Sequence, residues 1–400
     1  MRPELDNLDK IEFKMMDGSC SNASPIMTKR ENEPCCGGPM APPSTEKPNA
    51  SLPYVTGELT HRKRKVPLIS AKPTFADSLG TFKARFGVNR MDYTVPPGLY
   101  GIGNPNENSE VLVTANYKMS FDVLRSNLGG LDAWILVLDT RGVNVWCAAG
   151  KGTFGTDELL SRIRDCDIKG LVDHRRIILP QLGAPGVAGF RIKKETGFKT
   201  IYGPVEARDL RTFLNTDYKA TKDMRRKHFP LRERIALIPI ELVAASKIII
   251  PLAVVFFFLS GILGRGAFAA NLETSGLFAA LALVASLIGG SILFPILLPI
   301  LPGKSFTVKS LPIGAALSAL LITWHGTSFD NVPAIMETAS WSAIIIAFTA
   351  YMAMNFTGAS TYTSLSGVQK EMRIALPAQI AAAFFGLVAW VGSRIALYWG

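Results

Sequence analysis

Ala133-Trp134-Ile135-Leu136-Val137-Leu138-Asp139, turned by Thr140-Arg141-Gly142 into Asn144-Val145-Trp146-Cys147-Ala148-Ala149-Gly150-Lys151-Gly152, is the stretch whose reading decides the fold. Its first part is a short apolar run bounded by turn residues, the pattern of a buried strand. Asn144 is an N-cap residue type. Its side-chain oxygen can accept the backbone N–H two or three residues on, which places Cys147 at the third position of a short helix. There the unpaired N–H groups and the positive helix end favour thiolate over thiol. Ala148 and Ala149 leave the helix face bare, open to something flat and broad, and Gly150 and Gly152 stop the helix. A buried structural cysteine on an Ala-rich helix is the other reading of the same residues.

Outward from this stretch, from Thr74 to about Tyr218, the pattern of apolar run, turn and amphipathic segment repeats. Val111–Ala115, Arg176–Pro180 and Lys199–Pro204 read as further strands. Phe121–Leu128, a helix from Thr156 to Cys166 capped by Thr156 and Asp157, Val187–Thr196 and Glu206–Asn215 read as helices. Alternating strands and helices imply an α/β domain with a mainly parallel sheet. Ligands of such sheets sit beyond the carboxyl ends of the strands, where Ala115-Asn116-Tyr117, the Cys147 helix and Gly183-Ala184-Pro185-Gly186 converge as a rim.

The chain divides by composition. Residues 1–70 are rich in Pro, Ser, Asn and charge and read as a disordered extension. Residues 71–220 form the α/β domain, 221–244 a basic juxtamembrane linker, and 245–400 a transmembrane domain. Five apolar stretches, about Ala245–Gly264, Gly276–Ile300, Ser310–Trp324, Trp341–Met354 and Ile374–Trp390, read as spans; the fourth is short and extends past its apolar run. Cations alternate between loops: the segment before span one is basic, Lys304 and Lys309 follow span two, and Lys370 and Arg373 follow span four. That pattern puts the α/β domain in the cytoplasm at an inner membrane and the C-terminus outside, and the polar N-terminus lacks the apolar core of a secretory signal. His325 and Arg394 lie near span ends with no buried carboxylate in sight, so the spans read as an anchor.

Formal net charge is +11. With membrane spans present, that excess belongs to cytoplasmic loops rather than to nucleic-acid binding. The five cysteines, Cys20, Cys35, Cys36, Cys147 and Cys166, are too scattered for a disulfide framework and fit a reducing compartment. Cys35 and Cys36 are vicinal thiols, a ligand type for a soft metal such as mercury(II), or else a chance pair in a tail. His61-Arg62-Lys63-Arg64-Lys65 reads as a solvated linker or a patch facing anionic lipid or an acidic partner. No CxxC pair exists, which removes zinc and iron–sulfur sites. Gly150-Lys151 is not a phosphate loop, because Val145 and Gly152 stand where that motif needs Gly and Ser or Thr.

Residues 144–151, N-V-W-C-A-A-G-K, resemble the cap-helix signature of the HgcA family of mercury-methylating corrinoid proteins, whose corrinoid domain is similar to that of the corrinoid iron–sulfur protein large subunit. All eight positions agree. The plan of a soluble domain followed by a membrane domain extends the likeness over roughly residues 75–400. The resemblance implies a Rossmann-like corrinoid-binding domain with a cap helix, with Cys147 as lower axial ligand of cobalt. It makes Asn144, Val145, Trp146, Ala148, Ala149, Gly150 and Lys151 cofactor-binding. The adjacent pair Asp173-His174 lacks the D-x-H-x-x-G spacing of histidine-ligated corrinoids, so His174 reads as an ordinary polar residue.

The activity implied is transfer of a methyl group from methyl-cobalt(III) to mercury(II), forming methylmercury. Mercury(II) needs a methyl group that brings electrons with it, and a thiolate below cobalt pushes electron density to the opposite face. Recovery of cobalt(I) then takes two electrons, which the resemblance assigns to a companion dicluster [4Fe-4S] ferredoxin, HgcB, and a methylfolate-dependent system supplies the methyl group. Such low-potential chemistry implies an anaerobe. A corrinoid methyl-transfer protein with another natural acceptor and a non-catalytic corrinoid sensor are the other readings.

Overall fold

The computed structural model describes residues 41–356, except 327, 328 and 330, and residues 365–399. Cys35 and Cys36 lie outside the described residues. Seven strands make one sheet: β1 (Val55–His61), β2 (Arg64–Ile69), β3 (Gly98–Ile102), β4 (Glu110–Ala115), β5 (Ala133–Leu138), β6 (Arg176–Leu179) and β7 (Lys199–Tyr202), in the order β1-β2-β3-β5-β4-β6-β7. β5, β4, β6 and β7 run parallel, as do β2 and β3, whereas β1 with β2 and β3 with β5 are antiparallel. The sheet is therefore mixed and mainly parallel. Seven short helices accompany it: α1 (Phe75–Arg85), α2 (Lys118–Ser126), α3 (Val145–Lys151), α4 (Thr156–Asp165), α5 (Ile168–Leu171), α6 (Gly189–Thr196) and α7 (Leu210–Asn215).

β4 and β5 read as continuous apolar runs because both faces of the sheet are covered. Successive side chains alternate between two cores. Val111, Val113, Trp134 and Leu136 pack with Ala148 of α3 and Leu159 and Ile163 of α4. Leu112, Ile135 and Val137 pack on the other face with Phe121 and Leu124 of α2 and Phe213 of α7. The chain leaves β4 for β5 on one side and returns to β6 on β4's other side, so the order of winding reverses between β4 and β6. The carboxyl ends of those two strands flank the crevice where open α/β sheets bind ligands.

Three boundaries depart from the sequence reading. Residues 55–69 belong to the sheet rather than to a disordered tail, and the chain before them is also tied down: the Ser44 N–H donates to Asp139 Oδ2 at 2.8 Å. The basic run is the hairpin turn itself, with Arg62 and Lys63 at φ 46° and 65°. Two successive left-handed residues give a tight turn whose twist suits paired strands, normally supplied by Asn-Gly, so Arg-Lys left no signal. β3 was missed because Gly98 and Gly101 weaken the strand pattern. The juxtamembrane stretch is not a linker to 244: α8 (Leu231–Leu263) starts at Leu231, with Arg232, Glu233 and Arg234 in its first turn and a mainly apolar stem after them.

Among the described residues, five helices are long and apolar enough to cross a membrane: α8, Phe268–Leu297, Phe306–His325, Val332–Asn355 and Lys370–Ala396. A half-buried carboxylate lies among them. Glu337 pairs with Arg394, whose guanidinium also lies 5.8 Å from the Trp390 ring centroid, and partnering lowers the cost of both charges. The two residues are far apart in sequence, which hid the pair.

A second buried network fixes the start of α2. Lys118 Nζ donates to Asp77 Oδ1 at 2.7 Å and to Asp122 Oδ2 at 2.6 Å, and Arg125 reaches Asp122 Oδ1 and Asp77 Oδ2, each at 2.7 Å. Two acids and two bases close a net-neutral cluster, and Arg125 Nη1 adds a bond to the Ser70 carbonyl at 2.6 Å. α1, α2 and the end of β2 are thereby locked together.

Candidate functional site

The loop from β5 to α3 is held by one buried side chain. Asn116 Oδ1 accepts from the Thr140 and Gly142 N–H groups, both at 3.1 Å, and from Thr140 Oγ1 at 2.8 Å, while Asn116 Nδ2 donates to Asp139 Oδ1 at 3.1 Å. An amide with both ends satisfied sets a loop as backbone pairing sets a strand. Gly142 stands at φ 73°, and a side chain there would meet the Met91 carbonyl at 2.3 Å, so the turn needs glycine.

α3 begins as its sequence dictates. Asn144 is the N-cap, and its Oδ1 accepts the Cys147 N–H at 3.0 Å. Cys147 is thus the third helical residue. Gly152, in the left-handed conformation, ends the helix.

A cavity of about 420 Å³ opens beside this first turn. Its walls come from Leu112, Val113 and Thr114 of β4, Ile178 and Leu179 of β6, the Gly203–Ala207 segment after β7, and Tyr117, Ser120 and Val123 at α2. It therefore occupies the crevice at the carboxyl ends of β4 and β6, where the winding reverses. Asn144, Val145 and Trp146 line it, and so does Tyr117 from the rim expected at residues 115–117.

Cys147 does not line it. The cysteine is 6% exposed and packs in the first core with Ala148 and Ala149. The face that reads as bare in the sequence is filled: a Cβ on Gly186 would stand 3.0 Å from Ala149 Cα, so the 3₁₀ turn Gln181–Gly186 covers α3. Gly183–Gly186 is accordingly packing rather than rim, and Leu182 is the residue of that turn on the cavity wall. Ala148, Ala149, Gly150 and Lys151 also lie off the cavity lining.

The remaining polar candidates have structural partners. His174 Nε2 is 3.0 Å from the Ser109 carbonyl, and the Arg176 N–H meets His174 Nδ1 at 3.3 Å. Burial pushes the Cys166 thiol up to about 11, against the pull of Arg162, so it stays protonated at neutral pH. Thr156 is the first residue of α4 rather than its cap, and its Oγ1 accepts the Ala188 N–H at 2.8 Å.

Sequence reasoning missed the cavity residues Glu206, Lys227, Ala236 and Leu237. The strand-end rule reaches the Gly203–Ala207 segment after β7, but no local signal marks the two α8 residues.

Comparison with known proteins agrees with this geometry. Residues 86–214, which run from the end of α1 to α7, match the model of the CdhD family, described as CO dehydrogenase/acetyl-CoA synthase delta subunit. Among curated proteins, the chain is similar to acetyl-CoA decarbonylase/synthase complex subunit gamma of Methanopyrus kandleri, 33% identical over 130 residues, 32% of this chain and 28% of the relative. The same subunit of Archaeoglobus fulgidus is 29% identical over 143 residues, 34% of this chain and 30% of the relative. That of Methanocaldococcus jannaschii is 32% identical over 142 residues, 35% of this chain and 29% of the relative. The α/β domain is thus similar to subunits of acetyl-CoA synthase-type complexes, while the chain spans less than a third of the length of the relatives it matches.

Proposed function

We propose that this chain is a membrane-held corrinoid protein that passes a methyl group to mercury(II), with Cys147 as the lower ligand of cobalt. The observation that carries the reading is the switch-point cavity with the capped first turn of α3 on its wall. The similarity to acetyl-CoA decarbonylase/synthase gamma subunits supports a corrinoid-protein reading of the α/β domain, and the resemblance of the eight-residue cap-helix string narrows it to mercury. A corrin ring is broad, flat and largely apolar with polar edges. The cavity suits it in kind: Val145, Trp146, Leu112, Ile178 and Leu182 offer apolar surface, and Thr114, Ser120 and Asn144 on the lining carry polar side chains.

When bound, the corrinoid supplies the cobalt centre from which methyl leaves. The chain's own residues do the rest. Asn144 holds the Cys147 N–H and so keeps the cysteine at the positive end of α3, where a thiolate is stabilised. Tyr117 and Trp146 exclude water from the wall they form. A Cys147 thiolate that held cobalt would supply the electron donation that an electron-poor acceptor such as mercury(II) requires. The resemblance of residues 144–151 supports a ferredoxin of the HgcB kind as the electron donor and a methylfolate-dependent system as the methyl donor. The basic segment before α8 supports a cytoplasmic α/β domain, because Lys- and Arg-rich flanks of first spans stay on that side.

The buried thiol favours a second reading, in which Cys147 is core and the cavity holds the cofactor without sulfur. The two differ for Cys147→Ala assayed in membranes with a corrinoid, a methyl donor and reductant. Ligation predicts loss of methylmercury formation with the protein still folded, whereas a packing role predicts activity near wild type.

A further inference from the structure

The cavity is not a property of the α/β domain alone. Ala236 and Leu237, in the cytoplasmic stem of α8, stand on its wall together with Ser120, Val123 and Leu182. The same helix is the first of the five long enough to cross the membrane. The stem is fixed from both directions. Lys227, itself on the cavity wall, pairs with Glu206 just ahead of α7 and with Glu233 in the first turn of α8 at 2.6 Å. Arg234 is buried and donates to the carbonyls of Pro295 at 2.6 Å and Ile296 at 2.7 Å, in the second span. Ile240 Cδ1 lies 3.1 Å from where a Cβ on Gly87 would stand, so α8 also packs beside the end of α1.

Two charges in the first turn of α8, Glu233 toward the α/β domain and Arg234 toward the second span, thus hold two apolar side chains on the wall of a cavity that otherwise belongs to the α/β domain. A flexible anchor needs neither feature. Apolar surface presented in place is what a bound macrocycle gains affinity from, because covering it removes water from both partners.

We propose that the stem of α8 is a working wall of the cofactor site, with Ala236 and Leu237 packing against the bound corrinoid, so that the membrane domain completes the site it carries. This rests on the corrinoid reading of the cavity. Its consequence is geometric: with Arg234 bonded to the second span, the bound ring keeps a fixed orientation to the bilayer.

The test is equilibrium binding of cobalamin to the full chain in nanodiscs. It compares Ala236→Trp and Leu237→Trp, which fill the cavity from the stem, with Ser120→Trp, which fills it from α2. Circular dichroism and gel filtration monitor the fold. All three variants are expected to bind at least about tenfold more weakly than wild type, the loss of roughly one well-packed side chain's contact. Leu237→Ala cannot clash and should weaken binding several-fold; because Leu237 also packs against the cluster of Phe294, Leu298 and Phe306, its fold is checked in the same way. Weak binding by Ser120→Trp alone, with the three stem variants like wild type, overturns the wall while leaving the cavity as the corrinoid site. Wild-type binding by all four overturns the corrinoid reading itself.

Discussion

At the scale of single residues, Asn144 and Cys147 pull in different directions. The cap is local, made by a side chain three residues from the N–H it accepts, and it was legible in the sequence for that reason. The burial of the sulfur is not local. It depends on the turn 181–186 closing over α3, and nothing in residues 144–151 announces that contact. Asn144→Ala leaves the Cys147 N–H without its cap acceptor and should destabilise the α/β domain by about 1 kcal/mol, read as a lower melting temperature, with Asn144→Asp close to wild type. Asp77 carries a pH dependence. Burial alone would raise its carboxyl, but hydrogen bonds from Lys118 and the Thr74 N–H, with the nearby charges of Lys118 and Arg125, hold it well below the usual carboxylate range. A depressed carboxylate stabilises the fold above its unfolded value of about 3.9 and loses that contribution as pH falls toward the folded value. Thermal stability should therefore drop below about pH 4. In Asp77→Asn that acid-side slope should be shallower, and an unchanged slope would show that the network does not set acid stability.

At the scale of elements, α3 is held between a loop that Asn116 organises and a turn that Gly186 allows to come close. A methyl on Gly186 would meet the Phe154 carbonyl at 2.1 Å as well as Ala149. Backbone cannot yield as a side-chain tip does, so Gly186→Ala should displace α3, lower the melting temperature and weaken cobalamin binding together. Gly150→Ala is the control: nothing lies within 4 Å of its added methyl, and the helix gains about 0.5–1 kcal/mol from replacing glycine. Equal melting temperatures for the two variants would contradict the packing described here. The strands β4, β5 and β6 were legible because burial on both faces makes each an apolar run. β1 and β2 were not, because half-exposed strands joined by Arg62-Lys63 resemble a charged linker in composition. The Glu337–Arg394 pair was likewise invisible, since each residue alone sits near a span end.

At the scale of the molecule, an α/β domain and a helical membrane domain share one cavity, and a single helix belongs to both. The expected anchor is a structural participant: its stem lines the site, and Arg234 ties that stem to the second span. This contact lay beyond the sequence because Ala236 and Leu237 look like any residues entering an apolar helix. The account as a whole stands on the sulfur of Cys147, which the folded chain keeps packed and which is proposed as a ligand of cobalt. The most direct measurement is cobalt X-ray absorption on the full chain loaded with cobalamin, wild type against Cys147→Ala. The account predicts a sulfur neighbour of cobalt in the wild type that disappears in the variant while cobalamin remains bound. Cobalt without sulfur in both proteins would contradict it and leave Cys147 as part of the core.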